Sequence, residues 1–145
     1  MKVLESYSSP LLSALRIMSG LLVLQHGTTK FLDFPLGPMN DASPLSMSGA
    51  AGLIELVFGV LLVLGLFSRF SAFILSGLTA VAYFYAHAPR GFFPILNGGE
   101  LAALYSFVFL YLAAAGPGPW CLDRFLGGAH ARTSAREDAR PAHAH

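Results

Sequence analysis

The sequence predicts an all-α membrane protein, an antiparallel up-down-up-down bundle of four transmembrane helices, and three observations carry that expectation. Four apolar stretches, at about 11–32, 49–67, 70–88 and 98–115, each approach the length of about 20 residues that spans a bilayer as a helix. The 145 residues are 54% hydrophobic and only 12% charged, where a soluble domain carries roughly 25% charged residues. The few ionisable side chains in or beside the apolar stretches, His26, Lys30, Glu55, His87, Arg90 and Glu100, fall at alternating ends of successive segments, so hairpin connections gather them on one side.

Helix is required because lipid offers no hydrogen bonds to an open backbone and the stretches lack the period-two alternation of a transmembrane barrel. The first stretch contains Arg16 and His26, is too long for a signal-peptide core and has no small-residue cleavage site behind it, so it is expected to be retained as the first helix. Little more than Ser68 and Arg69 separates the second and third stretches, which makes these helices antiparallel neighbours. After the fourth, Gly116-Pro117-Gly118-Pro119 cannot continue a helix. Residues 120–126 then read as a short amphipathic piece at the interface, anchored by Trp120. The transmembrane domain is thus expected over 1–126. Residues 127–145, rich in Ala, Arg, His and Gly, are expected to form a disordered cytoplasmic tail.

With four crossings both termini share one side, together with Arg16, Arg69, Arg124 and the arginines of the tail, against Lys30 and Arg90 on the other. The positive-inside tendency makes that side cytoplasmic and turns the connections 33–48 and 89–97 outward. The net charge of +1 gives no basis for nucleic-acid binding. Cys121 is the one cysteine, so neither an internal disulfide nor a dithiol is available, and redox chemistry would have to come from a cofactor or partner. No Gly-rich phosphate loop or nucleophile elbow is present, which leaves no self-contained catalytic motif.

The outer polar cluster is the main functional clue. Glu55 lies roughly 9 Å inside the second stretch at 1.5 Å per residue, too deep and too short to snorkel easily. It shares a helix face with Gly52 and Gly59, so it is expected to point into the bundle, where Lys30 is the expected counter-charge. Ser76, Thr79, Tyr83 and His87 form a polar ladder along the third stretch. Glu55 as proton acceptor, with His26, Lys30, Tyr83, His87 and Glu100 as ligand-binding groups, would suit a quinone or another small polar head group, and Phe31, Phe34, Phe92 and Phe93 would line its entrance. Plainer readings exist for each: a structural ion pair for Glu55 and Lys30, interfacial hydrogen bonding for His26 and His87, and a capping box in which Asn97 is the N-cap and Glu100 reaches back to it. Arg16 is expected to snorkel to the cytoplasmic interface and pair with Asp123. A haem held by His26 and His87 has only a lone histidine on each of two helices behind it. A metal bound by His26, Glu55, His87 and Glu100 lacks the Glu-x-x-His repeats of di-iron bundles, and the closing His143-Ala144-His145 is too short a motif to carry a metal site.

Four runs also resemble a known family in their order and spacing. Gln25-His26-Gly27-Thr28-Thr29-Lys30-Phe31 closes the first helix, and the run from Glu55-Leu56-Val57-Phe58-Gly59 through Ser68-Arg69 crosses the second. Asn97-Gly98-Gly99-Glu100 opens the fourth, and Gly116-Pro117-Gly118 ends it. Together, over about residues 11–126, they are similar to the DoxX family. The resemblance implies a four-helix protein of the bacterial inner membrane, loosely linked to quinone-dependent sulfur oxidation through related subunits of thiosulfate:quinone oxidoreductase. The expected function is a membrane subunit that binds a quinone or similar lipid-soluble ligand and serves a soluble or membrane redox enzyme. The alternative is a non-catalytic membrane anchor or assembly factor. A small-solute or proton pathway would need the polar line to continue through the inner half, which carries only Arg16 and scattered Ser, Thr and Tyr. Gly52, Gly59, Ser76 and Ala80 suit packing within one chain or between copies of a homo-oligomer.

Overall fold

The computed structural model describes residues 2–37 and 43–124, and these are helical without a strand. Four main helices follow in order: α1 (Ser8–Leu32), α2 (Met47–Leu64), α3 (Ser68–Ala82) and α4 (Glu100–Ala115). Short helical turns precede α1 at Lys2–Glu5 and α4 at Pro94–Asn97. Three helical stretches, Ser8–Leu32, Met47–Leu64 and Ser68–Arg90, are long and apolar enough to cross a membrane, and Glu100–Ala115 is a shorter apolar helix. The expected tail at 127–145 lies outside the described residues, as do Phe125 and Leu126 of the expected interfacial piece.

The helix limits depart from those expected, each for a local reason. α1 begins three residues early, because Pro10 falls in the first turn, where its missing N–H is not needed. α2 starts at Met47, with the Ser46 side chain accepting from the Gly49 N–H at 3.0 Å, and it stops at Leu64 rather than Phe67. There Gly65 takes a left-handed conformation (φ 74°) and turns its N–H back on Leu61 and Leu62. The third stretch is α-helical only to Ala82. Tyr83–His87 widen into a π-helical turn, with the Ala88 N–H bonding the Tyr83 carbonyl, and Ala88–Arg90 tighten into a 3₁₀ turn. Pro89 lacks the N–H that would bond four residues back, and its ring crowds that carbonyl, so a regular α-helix cannot run through it.

α1 and α2 pack antiparallel through glycines. A methyl group added at Gly27 would lie 2.7 Å from Leu56 Cγ and 2.9 Å from the Gly52 carbonyl oxygen, and one at Gly20 would lie 2.9 Å from Val63 Cγ2. α3 and α4 are likewise antiparallel: the Ser76 hydroxyl donates to the Ser106 carbonyl at 2.7 Å, and Arg69 reaches the Ala113 and Ala114 carbonyls at the far end. Phe58 and Phe70 join the two pairs edge to face at 5.9 Å. The small apolar core holds Val23, Leu62, Leu75, Phe109 and Leu112. Around it the usual distribution is inverted, with Ser13, Arg16, Ser19, Lys30 and Ser71 buried while Leu53, Phe73, Phe84 and Phe107 are exposed. A surface of that kind suits lipid as its solvent, where small residues and hydrogen bonds hold helices together.

Arg16 does not snorkel. It is fully buried, and its guanidinium donates to the Pro117 carbonyl at 2.9 Å, to the Val63 carbonyl at 2.8 Å, and to the Leu62 and Trp120 carbonyls. The expected partner Asp123 instead accepts from the Phe67 and Ser68 N–H groups at 2.8 and 3.1 Å, which caps α3. The expected interfacial piece is accordingly docked. Leu122 and Asp123 donate to the Leu64 and Gly65 carbonyls and Cys121 is buried, while Trp120 remains 58% exposed.

Two stability predictions follow from this packing. Gly27→Leu forces α1 from α2 and should cost about 1–3 kcal/mol, as overpacking does elsewhere, read as a lowered melting temperature in detergent by circular dichroism. Arg16→Ala removes the guanidinium donors from the Val63, Pro117 and Trp120 carbonyls, at about 1–3 kcal/mol for each one left buried and unpaired, while Leu62 keeps the Gly65 N–H. Arg16→Lys should recover only part of that loss, since an ammonium cannot reproduce the fork. Equal melting temperatures for Arg16→Ala and the parent chain would show that the carbonyl cage does not hold the fold.

Candidate functional site

Lys30 and Glu55 meet as expected. Lys30 Nζ donates to Glu55 Oε2 at 2.8 Å, with the two side chains 7% and 14% exposed. α1 delivers Lys30 from its last turn and α2 delivers Glu55 two turns from its start, so the antiparallel crossing brings them level. Gly52 makes room for the lysine stem: a methyl group there would lie 2.8 Å from Lys30 Cδ and from Phe31 Cε2. It is the one ion pair among the described residues. Among the described residues the pair is made through Oε2. His26, one turn before Lys30 on α1, is half-buried.

Tyr83 and His87 form a separate group at the same end. Their rings stack at 6.5 Å, and His87 Nδ1 lies 3.2 Å from the Asn97 carbonyl oxygen. Tyr83 packs under the start of α4, where a methyl group on Gly99 would lie 2.7 Å from its ring. The polar ladder therefore faces α4, with Ser76 on Ser106 and Thr79 bonding back to Leu75 and Ser76. No hydrogen bond, ion pair or ring contact joins this group to Lys30 and Glu55 among the described residues, and no three His, Cys, Asp or Glu side chains there lie close enough to hold a metal ion.

The capping box is replaced by a different latch. α4 begins at Glu100 with Gly99 as its N-cap, and Asn97 belongs to the preceding turn. The Asn97 amide accepts from the Gly99 N–H and donates to the Gly91 carbonyl, both at 2.8 Å, while Glu100 is exposed on the first turn of α4. Of the expected entrance aromatics, Phe34, Phe92 and Phe93 are exposed and Phe31 packs beside Gly52. A shallow apolar groove of about 410 Å³ opens between α2 and α3, lined by Ile54, Phe73, Ile74, Gly77, Leu78 and Val81. Neither Glu55 nor Lys30 lines this groove, although Ile54 is the sequence neighbour of Glu55.

Sequence reasoning missed the π-helical turn at 83–87 and the Asn97 latch. Pro89 signalled the first, and the turn-forming Asn97-Gly98-Gly99 run signalled the second. π-helical turns are frequent at functional sites, which adds weight to the Tyr83–His87 segment.

The profile of the DoxX family matches residues 11–88, just over half of the chain. An uncharacterized protein of Haemophilus influenzae is 49% identical over 128 residues, covering 85% of this chain and 96% of its own length. A second uncharacterized protein of the same organism is 38% identical over 72 residues, about half of each chain. An uncharacterized membrane protein of Mycobacterium tuberculosis is 28% identical over 144 residues, with 86% of each chain covered. No solved structure matches. A membrane protein by its helices and its relatives, the chain belongs to the DoxX family.

Proposed function

We propose that this DoxX-family chain is a subunit of the bacterial inner membrane that binds the polar head of a quinone, or of a similar lipid-soluble ligand, beside Glu55 and serves a redox partner. Its four helices cross the bilayer up-down-up-down with both termini in the cytoplasm. The observation that carries the reading is the buried carboxylate: among the described residues Glu55 is tied to Lys30 through Oε2, inside an apolar helix pair, and Oε1 is the oxygen proposed to accept from a ligand hydroxyl. Glu55 acts as proton acceptor, Lys30 as its counter-charge, and His26 as a hydrogen-bond partner. The apolar groove between α2 and α3 seats the ligand's tail. Tyr83 and His87, which pack against α4, contribute from the second group at the same end.

A second reading has its own observation in favour. Gly27 and Gly52 fit α1 to α2 tightly around the pair, as expected of an anchor in which Lys30 and Glu55 only set helix register. The two readings diverge when both charges are removed. Glu55→Gln alone strands the buried Lys30 and should cost about 3–5 kcal/mol, whereas adding Lys30→Met should recover most of it. On the ligand-binding reading, the double variant folds but loses the quinone that is found in organic extracts of the parent protein purified from its own membrane. Quinone equally abundant in both extracts, or absent from the parent, would leave the anchor reading standing.

A further inference from the structure

We propose that the turn formed by residues 91–97 is embedded in the bilayer at the boundary between head groups and acyl chains, where it completes the fourth crossing. The inference rests on the reading that α1 to α4 span the membrane, and it goes beyond that reading by giving this connection a lipid partner. α4 has 16 residues, or roughly 24 Å at 1.5 Å per residue, against a hydrocarbon core of about 30 Å. The missing length must come from whatever precedes Glu100, and what precedes it is apolar and outward-facing. Phe92, Phe93, Ile95 and Leu96 are 87%, 60%, 71% and 80% exposed. Water is a poor solvent for four such side chains within five residues. On either side of the turn in sequence, Phe84 of the π-helical turn and Leu101 of α4 are also exposed, and the spanning reading already places them against lipid.

The backbone supplies the second, independent observation. A segment can enter lipid only when its polar backbone groups find partners inside the protein. Here the Leu96 and Asn97 N–H groups share the Phe93 carbonyl at 2.9 and 3.0 Å, the Gly99 N–H reaches the Pro94 carbonyl at 3.1 Å, and the Gly91 N–H reaches the Ala88 carbonyl at 3.2 Å. The Phe92, Phe93 and Ile95 N–H groups have no such bond among the described residues, which holds the turn at the wet head-group boundary rather than deeper. Pro94 has no N–H to satisfy. Asn97, 3% exposed, closes both ends of the turn through its side chain, and its own carbonyl receives His87 Nδ1. A buried amide doing this beneath four exposed apolar side chains inverts the arrangement of a water-facing loop. Depth is limited by the flanking charges. Exposed Arg90 can reach lipid phosphate, and exposed Glu100 lies in the first turn of α4, where the helix dipole favours a carboxylate. Both belong at head-group level, so insertion extends only about 5–10 Å, as for other interfacial segments.

Trp120 is the one tryptophan, so Trp120→Phe provides a silent background for a reporter. In that background Phe92→Trp is placed in vesicles of phosphatidylcholine whose acyl chains are brominated near the head-group end, and Phe73→Trp serves as the mid-helix control. The expected result is a blue-shifted Phe92→Trp emission that is lost in brominated vesicles and resists aqueous iodide. Emission quenched by iodide and unaffected by bromine, while the Phe73→Trp control is quenched by brominated lipid, would overturn the embedded turn and leave the spanning reading intact. Protection from both quenchers would assign the turn to a protein partner and equally overturn the proposal. Failure of the Phe73→Trp control to sense brominated lipid would instead count against the spanning reading itself.

Discussion

A cation buried among backbone carbonyls is held largely by their dipoles, and the architecture of this chain turns on that constraint at Arg16. Its guanidinium meets the carbonyls of Leu62 and Val63 in the last turn of α2, and those of Pro117 and Trp120 in the segment that follows α4. The last carbonyls of a helix lack intrahelical donors and carry the negative end of its dipole, so one planar fork both satisfies them and is neutralised by them. Three parts of the chain are thereby fixed to one side chain. The neighbouring helix ends follow the same logic, with Arg69 on the C-terminal carbonyls of α4 and Asp123 on the N-terminal N–H groups of α3.

At the opposite end the constraint is a charge pair rather than a charge among dipoles. Burying two ions costs several kcal/mol each, which a single 2.8 Å contact recovers only with close geometry around it. Gly52 supplies that geometry by letting the lysine stem cross α2, and Gly27 lets the helix backbones approach. The glycines and the ion pair are therefore one device: enlarging either glycine moves the charges, and removing either charge leaves the close crossing around an unpaired ion. The π-helical turn of Tyr83–His87 and the Asn97 latch form a second device, joining α3 to α4 without touching the first. The bundle is thus tightest within the α1–α2 and α3–α4 pairs, and the apolar groove opens along the seam between them.

Much of this was legible in the sequence because it depends on local signals. The apolar stretches marked the helices, and the glycine spacing around Glu55 marked the face that meets Lys30. What stayed hidden depends on contacts between distant segments. Nothing near Arg16 indicates that a Gly-Pro-Gly-Pro run about a hundred residues later will bring two carbonyls to it, so snorkelling was the natural expectation. Asp123 and Arg69 were likewise legible as charges but not as caps, because a cap requires knowing which helix end arrives. The Asn97-Gly98-Gly99-Glu100 run fitted a helix start by spacing alone. The structure puts the start two residues later, since Asn97 closes the preceding turn instead.

The carbonyl cage around Arg16 also bears on the order in which the chain can assemble. Two of its carbonyls come from α2, which emerges soon after α1, but the other two lie 101 and 104 residues beyond Arg16. Throughout synthesis of α3 and α4, the first helix carries a cation whose cage is only half built. That cation stays drawn toward water at the membrane surface until the last segment arrives. Closure of the cage is therefore a late event, one that ties maturation of the first helix to completion of the fourth.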